Sequence, residues 1–419
     1  VPAAALAQVR TLIVIPVRSP PHGHDERDAR VAAPGSYPSA MAHDPTTHGL
    51  RVRPLADGEE RALARVMRRS FGGLAALLFT TGKAAFVAEV DGRIVGGVTV
   101  GAFDIDSGRR GGVVKWVFTL PEARGLGVAT LLLDEAMVWF EAQGVTDAFA
   151  CIEGLNPGSS NRFAERGFEP LGFTAQVRRY GARLPRVWWH VNHVADVGHL
   201  LWVRRADLGA DVTPAGEAPT GPEPTARGYG AFAATLAVHA LFGAVMLARR
   251  GQGVDLAAVA QLALAVGLVI GVRTSAMALA GRALGLRLRY RAWETGMTLT
   301  GAIALLFGGL FIAPGGLYPR ARTWSLRELG PRLAVVAGAG VAAVLVLGWA
   351  AHLLAGWSAV AGAAAPVLFY ARLLLLFDVL LPFFPMTAFA GRRVWEASRV
   401  AWAVAALGTV ALWVVSLVG

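Results

Sequence analysis

Apolar positions change their spacing once along this chain, near Tyr229. Ahead of it they recur in short runs at strand or helix period; beyond it they fuse into long blocks. Leu50 to Pro54 reads as a first strand. Asp57 caps a helix to about Ser70 that sets Leu63, Val66 and Met67 on one face, and a second short helix covers Leu74 to Phe79. Ala84–Val90 and Ile94–Phe103 alternate as strands about Asp91-Gly92, a pair suited to a tight hairpin turn. A strand over Gly112–Leu120, an amphipathic helix over Ala129–Gln143, a strand over Asp147–Glu153 and a helix over Ser159–Arg166 follow. The order β-α-α-β-β-β-α-β-α predicts an α+β domain over residues 49–175, a mixed central sheet with flanking helices.

The later blocks are Tyr229–Ala248, Val254–Val272, Met297–Ala313, Leu333–Ala355, Trp357–Leu381 and Ala401–Val418. Their lengths approach or exceed the roughly 20 residues that a bilayer-spanning helix needs, so residues 229–419 read as an all-α polytopic membrane domain. The third block is the shortest, interrupted by Gly308-Gly309 and ended by Pro314. If it enters and leaves on one face, five spans remain. The sheet domain, the stretch Arg273–Arg332 and the Arg392-Arg393 turn then share the cytoplasmic side, and the C-terminus ends outside. The expected location is the cell membrane.

Two further segments lack this clarity. Residues 1–48 are rich in Pro, Ala, Ser, His and Asp without periodicity and read as a disordered tail, His22-Gly-His24-Asp25 included. Thr11–Val17 is too short and poorly flanked for a signal peptide, and Met41 is a candidate start. Arg183–Val203 carries Trp188, Trp189 and Trp202 with His190, His193 and His199. Those His spacings do not share one helix face, so the stretch reads as an interfacial helix rather than a zinc site. With the Pro/Gly/Thr/Glu-rich linker Ala210–Arg227, it makes residues 176–228 a connection between domains.

Composition narrows the classes. A mean hydropathy of +0.48 is too apolar for a soluble enzyme of this length. The net charge of +11 lies largely in Arg clusters beside apolar blocks, and no basic helix interleaved with aromatics appears, so nucleic acid is not an expected partner. A single cysteine, Cys151, permits neither a disulfide nor a Cys-based metal site. His239, His352, Arg372 and Asp378 lie within the apolar blocks or at their margins, where polar groups are functional candidates or pair between helices.

The candidate chemistry centres on Thr119-Leu-Pro-Glu-Ala-Arg124-Gly-Leu-Gly-Val-Ala129-Thr-Leu-Leu132. A strand, a glycine turn and a helix start make an anion site, because the first-turn amides point at the ligand and the helix dipole favours negative charge. Gly125 and Gly127 remove the Cβ atoms that would hold a pyrophosphate away, and Arg124 adds a donor fork.

Arg124, Gly127 and Ala129, followed by Asn156, Phe163 and Gly167-Phe168, resemble the two motifs of the GNAT N-acetyltransferase superfamily over roughly Leu50 to Phe173. The resemblance implies acetyl-coenzyme A as cosubstrate, without a metal. It implies a fourth and fifth strand that splay apart, with a backbone N–H near Val117 or Phe118 polarising the thioester carbonyl. Thr119, Arg124, Gly125, Leu126, Gly127, Val128, Ala129, Thr130 and Asn156 would line the cosubstrate site, with Glu153 the candidate general base. Asp104, Asp106 and Glu122 are further carboxylate candidates. The departure is Phe163, which stands where many members carry a Tyr acid.

Met277–Tyr318 and Asp378–Trp395 resemble the membrane domain of site-2 protease-like zinc metalloproteases, but the ligand positions hold Arg273, Met277 and Ala390. The implied scaffold is a pseudoprotease, with neither zinc nor peptidase activity expected. Together these features predict a membrane-tethered N-acetyltransferase acting on an unidentified amine, with the lipid bilayer and a membrane protein as candidate partners. The rival expectations are a coenzyme A-sensing membrane regulator and a lipid-amine acyltransferase.

Overall fold

A computed structural model describes residues 49–72, 79–81, 84–194, 197–205, 226–321, 323–383 and 386–418. The tail over 1–48, most of the expected helix Leu74–Phe79 and nearly all of the linker Ala210–Arg227 lie outside them.

Asp91 and Gly92, with φ of 50° and 74°, turn the chain between strands β2 (Ala84–Val90) and β3 (Arg93–Asp104). With β1 (Arg51–Pro54), β4 (Arg110–Thr119), β5 (Asp147–Glu153), β6 (Glu169–Pro170) and β7 (His199–Arg205) they form one sheet, ordered β1-β2-β3-β4-β5-β7-β6. Every pairing is antiparallel except β4 with β5, which is parallel. Helix α1 (Glu60–Phe71) buries Leu63, Val66 and Met67, and α2 (Val128–Ala142) buries Leu132, Leu133, Ala136 and Phe140. Both join the main core cluster of the sheet, as does α3 (Pro157–Glu165) through Phe163 and Ala164. Asp57 does not cap α1. Glu59 takes that position, and its carboxylate instead binds Arg53 at 2.7 and 2.8 Å and the Ala56 amide at 3.0 Å.

The expected interfacial helix is replaced by three elements: α4 (Phe173–Tyr180), α5 (Leu184–His190) and β7. The sheet therefore continues to Arg205, beyond the expected boundary at residue 175. The reason is two-sided burial. Leu200 and Trp202 enter the main core while Leu201 and Val203 enter a second cluster with Phe103, Phe149, Tyr180 and Val187. A strand buried on both faces does not alternate polar with apolar. Asp147, fully buried, ties α4 to β5 by accepting from Arg179 Nε at 2.7 Å and the Tyr180 hydroxyl at 3.1 Å.

The C-terminal region is helical: α6 (Ala226–Arg249), α7 (Leu256–Ala283), α8 (Glu294–Phe307), α9 (Leu326–Ala355), α10 (Ala361–Leu375), α11 (Ala390–Ala397) and α12 (Arg399–Val418). A short antiparallel hairpin, β8 (Leu288–Arg291) with β9 (Gly316–Pro319), flanks α8. Among the described residues, five helices are long and apolar enough to cross a membrane, α8 not among them. Gly308, at φ 59°, ends α8, and the non-helical stretch Leu310–Ala313 is buried. Its backbone is partnered: Thr300 Oγ1 donates to the Phe311 carbonyl at 2.8 Å, and the Ala313 amide donates to His239 Nε2 at 2.9 Å. Arg372 of α10 lies over the Trp413 ring of α12 at 4.1 Å.

Two glycines mark where the sheet domain meets the helical region. A methyl group at Gly154 would overlap the Tyr318 ring, and one at Gly198 would overlap the Ala388 methyl. Close backbone approach at these positions tolerates no Cβ.

Candidate acyl-transfer site

The site begins with a break in a ladder. Strand β4 pairs with β5 only from Gly111–Val114 to Asp147–Ala150, although both strands run on, to Thr119 and Glu153. Against β3 the register skips Lys115, passing from Val114↔Val100 to Trp116↔Thr99. Such a bulge bends its strand and strengthens the local twist. Past it, Val117, Phe118 and Thr119 keep their β3 partners and have none on β5. The result is a gap between the two parallel strands that opens toward their C-terminal ends. Thr119 Oγ1 is buried and makes no hydrogen bond among the described residues.

The gap opens beside an uncapped helix. After a single 3-10 turn over Pro121–Ala123, Arg124 is extended, and Gly125 and Gly127 take φ of 86° and 78°. Glycine takes those angles without the strain that a Cβ would bring. Gly127 is the N-cap of α2 and offers no side chain, and the first intrahelical bond runs from the Leu131 amide to the Gly127 carbonyl at 3.1 Å. The amides of Val128, Ala129 and Thr130 therefore open the helix end. Val128 is buried and anchors the turn, while Arg124 to Gly127 are exposed.

Across the gap, Asn156 caps α3: its Oδ1 accepts from the Ser159 amide at 3.2 Å and its Nδ2 donates to Ser159 Oγ at 3.3 Å. Glu153 ends β5, and its carboxylate accepts from Arg393 Nη2 of α11 at 3.1 Å. Phe163 is 3% exposed and meets Phe168 edge-on at 5.1 Å, so it packs in the core. The other carboxylates stand apart. Asp106 is bound by Arg109 at 2.6 and 3.0 Å, which holds its carboxyl below the usual range, and Glu122 forms an exposed pair with Arg69.

A cleft of about 720 Å³ lies beside these parts, reaching α2 at Thr130 and the far wall at Glu153 and Asn156, without lining from Val117–Thr119 or Arg124–Ala129. Thr130, Glu153 and Asn156 line it from the sheet domain; Trp324, Leu326 and Arg393 line it from the helical region. The volume lies within the roughly 300–1,000 Å³ of small-molecule sites. The helical-region residues had no signal in the sequence, since Arg393 lies 240 positions from Glu153.

The histidines do not gather. His190 stacks on Phe103 at 4.5 Å, and His193 sits 3.5 Å from Cys151 Sγ and 3.9 Å from the Glu294 carboxylate. Among the described residues, no three His, Cys, Asp or Glu side chains are placed to hold a metal ion. Arg273, Met277 and Ala390 do converge, around a void of about 30 Å³ that Tyr318 and Arg393 also line. There the Arg273 guanidinium clasps Asp378 at 2.7 and 3.0 Å, and Asp378 also accepts from the Ala390 amide at 3.0 Å.

A sheet split at a parallel pair, beside an uncapped helix end, puts an open strand edge and an anion site side by side. Residues 55–168 match the Acetyltransferase (GNAT) family. Similar solved structures include Arabidopsis thaliana Naa50 in complex with the bisubstrate analogue CoA-Ac-MVNAL: 16% identical over 29% of this chain and 84% of that one, TM-score 0.25. An acetyltransferase from Streptococcus agalactiae is 15% identical over 38% of this chain and 98% of that one, TM-score 0.29. N-acetylglutamate synthase from Neisseria gonorrhoeae, complexed with coenzyme A and N-acetyl-glutamate, is 21% identical over 37% of this chain, TM-score 0.26; the match spans 35% of the synthase. No curated protein matches the chain.

Proposed function

We propose that this chain is a membrane-tethered N-acetyltransferase that moves an acetyl group from acetyl-coenzyme A to an amine. The observation that carries this reading is the β4–β5 gap opening onto the uncapped start of α2, within the stretch that matches the GNAT family. The residues fit the cosubstrate: open amides and Arg124 for a pyrophosphate, a half-open strand edge for an amide-bearing arm, and beside it the Thr119 hydroxyl, without a partner among the described residues. Acetyl-coenzyme A supplies a thioester, an activated acyl group with a good leaving thiol.

The amides of Val128, Ala129 and Thr130 bind the phosphates, and the Val117–Phe118 backbone orients the thioester carbonyl and stabilises charge on its oxygen. Asn156 fixes the start of α3 at the far wall. Glu153 takes a proton from the acceptor's ammonium, directly or through one water, and the free amine then attacks the thioester carbonyl as the thiolate leaves. Phe163 donates nothing. A thiol with a pKa of about 8.5 leaves as thiolate tolerably well, so the absent Tyr slows the reaction without forbidding it.

Five spans anchor the domain, and α8 with Leu310–Ala313 forms a re-entrant segment that puts the sheet domain in the cytoplasm. The helical region is a protease-like scaffold in which Arg273, at one of the resembled ligand positions, pairs instead with Asp378. A second reading, a coenzyme A-sensing regulator without catalysis, draws support from Glu153 being held by Arg393. Thiol release by the detergent-purified full chain, measured with acetyl-coenzyme A against a panel of soluble amines and amine-bearing lipids, separates the two. Amine-dependent release that Glu153→Gln reduces supports transfer; coenzyme A binding without release from any amine overturns it.

A further inference from the structure

The acetyl-transfer reading uses one wall of the 720 Å³ cleft and leaves the other without a role. That other wall is built into the helical region. Asn161, on α3, clamps Trp324 from both sides of its backbone: Nδ2 donates to the Trp324 carbonyl at 2.9 Å, and the Trp324 amide donates to Oδ1 at 3.2 Å. Ser325 follows as the N-cap of α9, a helix of 30 residues. The wall is thus hydrogen-bonded to the sheet domain at one end and continuous with a long helix at the other.

Arg393 closes the far end of the cleft. Its side chain is 11% exposed, and Nη2 donates to the Glu153 carboxylate and to the Leu155 carbonyl, both at 3.1 Å. Nη1 is held by Glu396 at 2.8 Å, while Nε is buried without a partner among the described residues. Leu155 and Arg393 also line the small void beside Arg273, so Arg393 is the partition between the two cavities.

We propose that the transfer site is two-sided: Trp324–Leu326 forms the second wall of the coenzyme A cleft, and Arg393 is a positioning residue that holds Glu153. This rests on the acetyl-transfer reading. Coenzyme A in the cleft touches the start of α9, so binding in the sheet domain restrains the helical region. Arg393 Nη2 binds one carboxylate oxygen of Glu153, Oε1, and so aims the other at the acceptor's ammonium. The acceptor site is bounded by the helical region rather than by the sheet domain alone.

Calorimetric titration of the full chain with coenzyme A tests the wall. Trp324→Ala should raise Kd about tenfold, as loss of a packed aromatic anchor does, with Trp324→Phe restoring most of it. Hydrogen exchange on the unaltered chain is the second measurement: coenzyme A should slow exchange over residues 323–332. Arg393→Gln should lower kcat for amine-dependent thiol release while leaving the coenzyme A Kd unchanged, and Arg393→Lys should restore part of it. Gly127→Leu, which blocks the helix end, is the control on the underlying reading. Wild-type affinity in Trp324→Ala with unchanged exchange over 323–332, while Gly127→Leu abolishes binding, overturns the two-sided site and leaves acetyl transfer standing. Unchanged affinity in Gly127→Leu instead overturns the acetyl-transfer reading itself.

Discussion

Replacing Asp378 by Asn should be among the most damaging single changes in the helical region. Arg273 and Asp378 are 2% and 1% exposed, and the guanidinium makes a two-pronged bond to the carboxylate at 2.7 and 3.0 Å. The remaining hydrogen bond to the guanidinium is a long one, 3.4 Å to the Gly315 carbonyl. Asparagine keeps an oxygen for the Ala390 amide and nearly the same volume, so packing is preserved and the charge alone is lost. Breaking one partner of a buried pair leaves the other charge uncompensated and costs about 3–5 kcal/mol. That corresponds to a melting temperature lower by roughly 10 °C in a region of this size. The double variant Arg273→Met/Asp378→Asn removes the stranded cation and should regain at least half of the loss. Melting curves of the four proteins in one detergent, followed by circular dichroism, form the cycle. Wild-type melting of Asp378→Asn, or losses in the double variant that simply add, would refute a structural pair at this position.

Three further outcomes are expected. Arg124→Ala should weaken coenzyme A binding by about 1.5–3 kcal/mol, the worth of a charge-assisted bond, in the same titration where Gly127→Leu abolishes it; equal affinity in both would contradict phosphate binding at α2. Arg53, ahead of the Ala56 amide, pulls the Glu59 carboxyl down to about 2, so its contribution is present above the unfolded value of about 4.3 and fades as pH falls toward 2. For a partly exposed pair this is worth about 1 kcal/mol, and Glu59→Gln should flatten the fall of melting temperature between about pH 5 and 3, whereas parallel curves would refute it. In a Cys151→Ser background, an impermeant thiol reagent on intact cells should spare Thr323→Cys and Ser398→Cys and label Leu417→Cys, all exposed positions; labelling at 323 would mean that the third apolar block crosses.

Much of the sheet domain was legible because its signals are local. The Asp91-Gly92 hairpin, the one-faced helix α1 and the Arg124–Gly127 turn need only neighbouring residues to declare themselves. Strand β7 was hidden because Leu200, Leu201, Trp202 and Val203 are all buried, and its tryptophan and histidine imitate an interfacial helix. The N-cap of α1 slipped from Asp57 to Glu59 because the Arg53 contact on β1 decides where Glu59 sits. In the helical region, length and hydropathy picked out five long helices and one short block, and Gly308 does end α8. What no local pattern carries is docking. Trp324 meets Asn161 across 163 positions, and Arg393 meets Glu153 across 240. The helical-region wall of the candidate cleft is therefore a product of tertiary packing alone.

The glycine contacts at Gly154 and Gly198 bear on how such a chain can be rebuilt. Their backbones lie against Tyr318 and Ala388 so closely that an alanine at either would wedge the two parts apart. Gly154 directly follows Glu153, the end of the candidate base strand. A domain transplant that brings in another acetyltransferase with any side chain at the equivalent of residue 154 would therefore misplace its own base. The sheet domain is not an interchangeable cassette: engineered chimeras should work only when both glycine positions are grafted along with it.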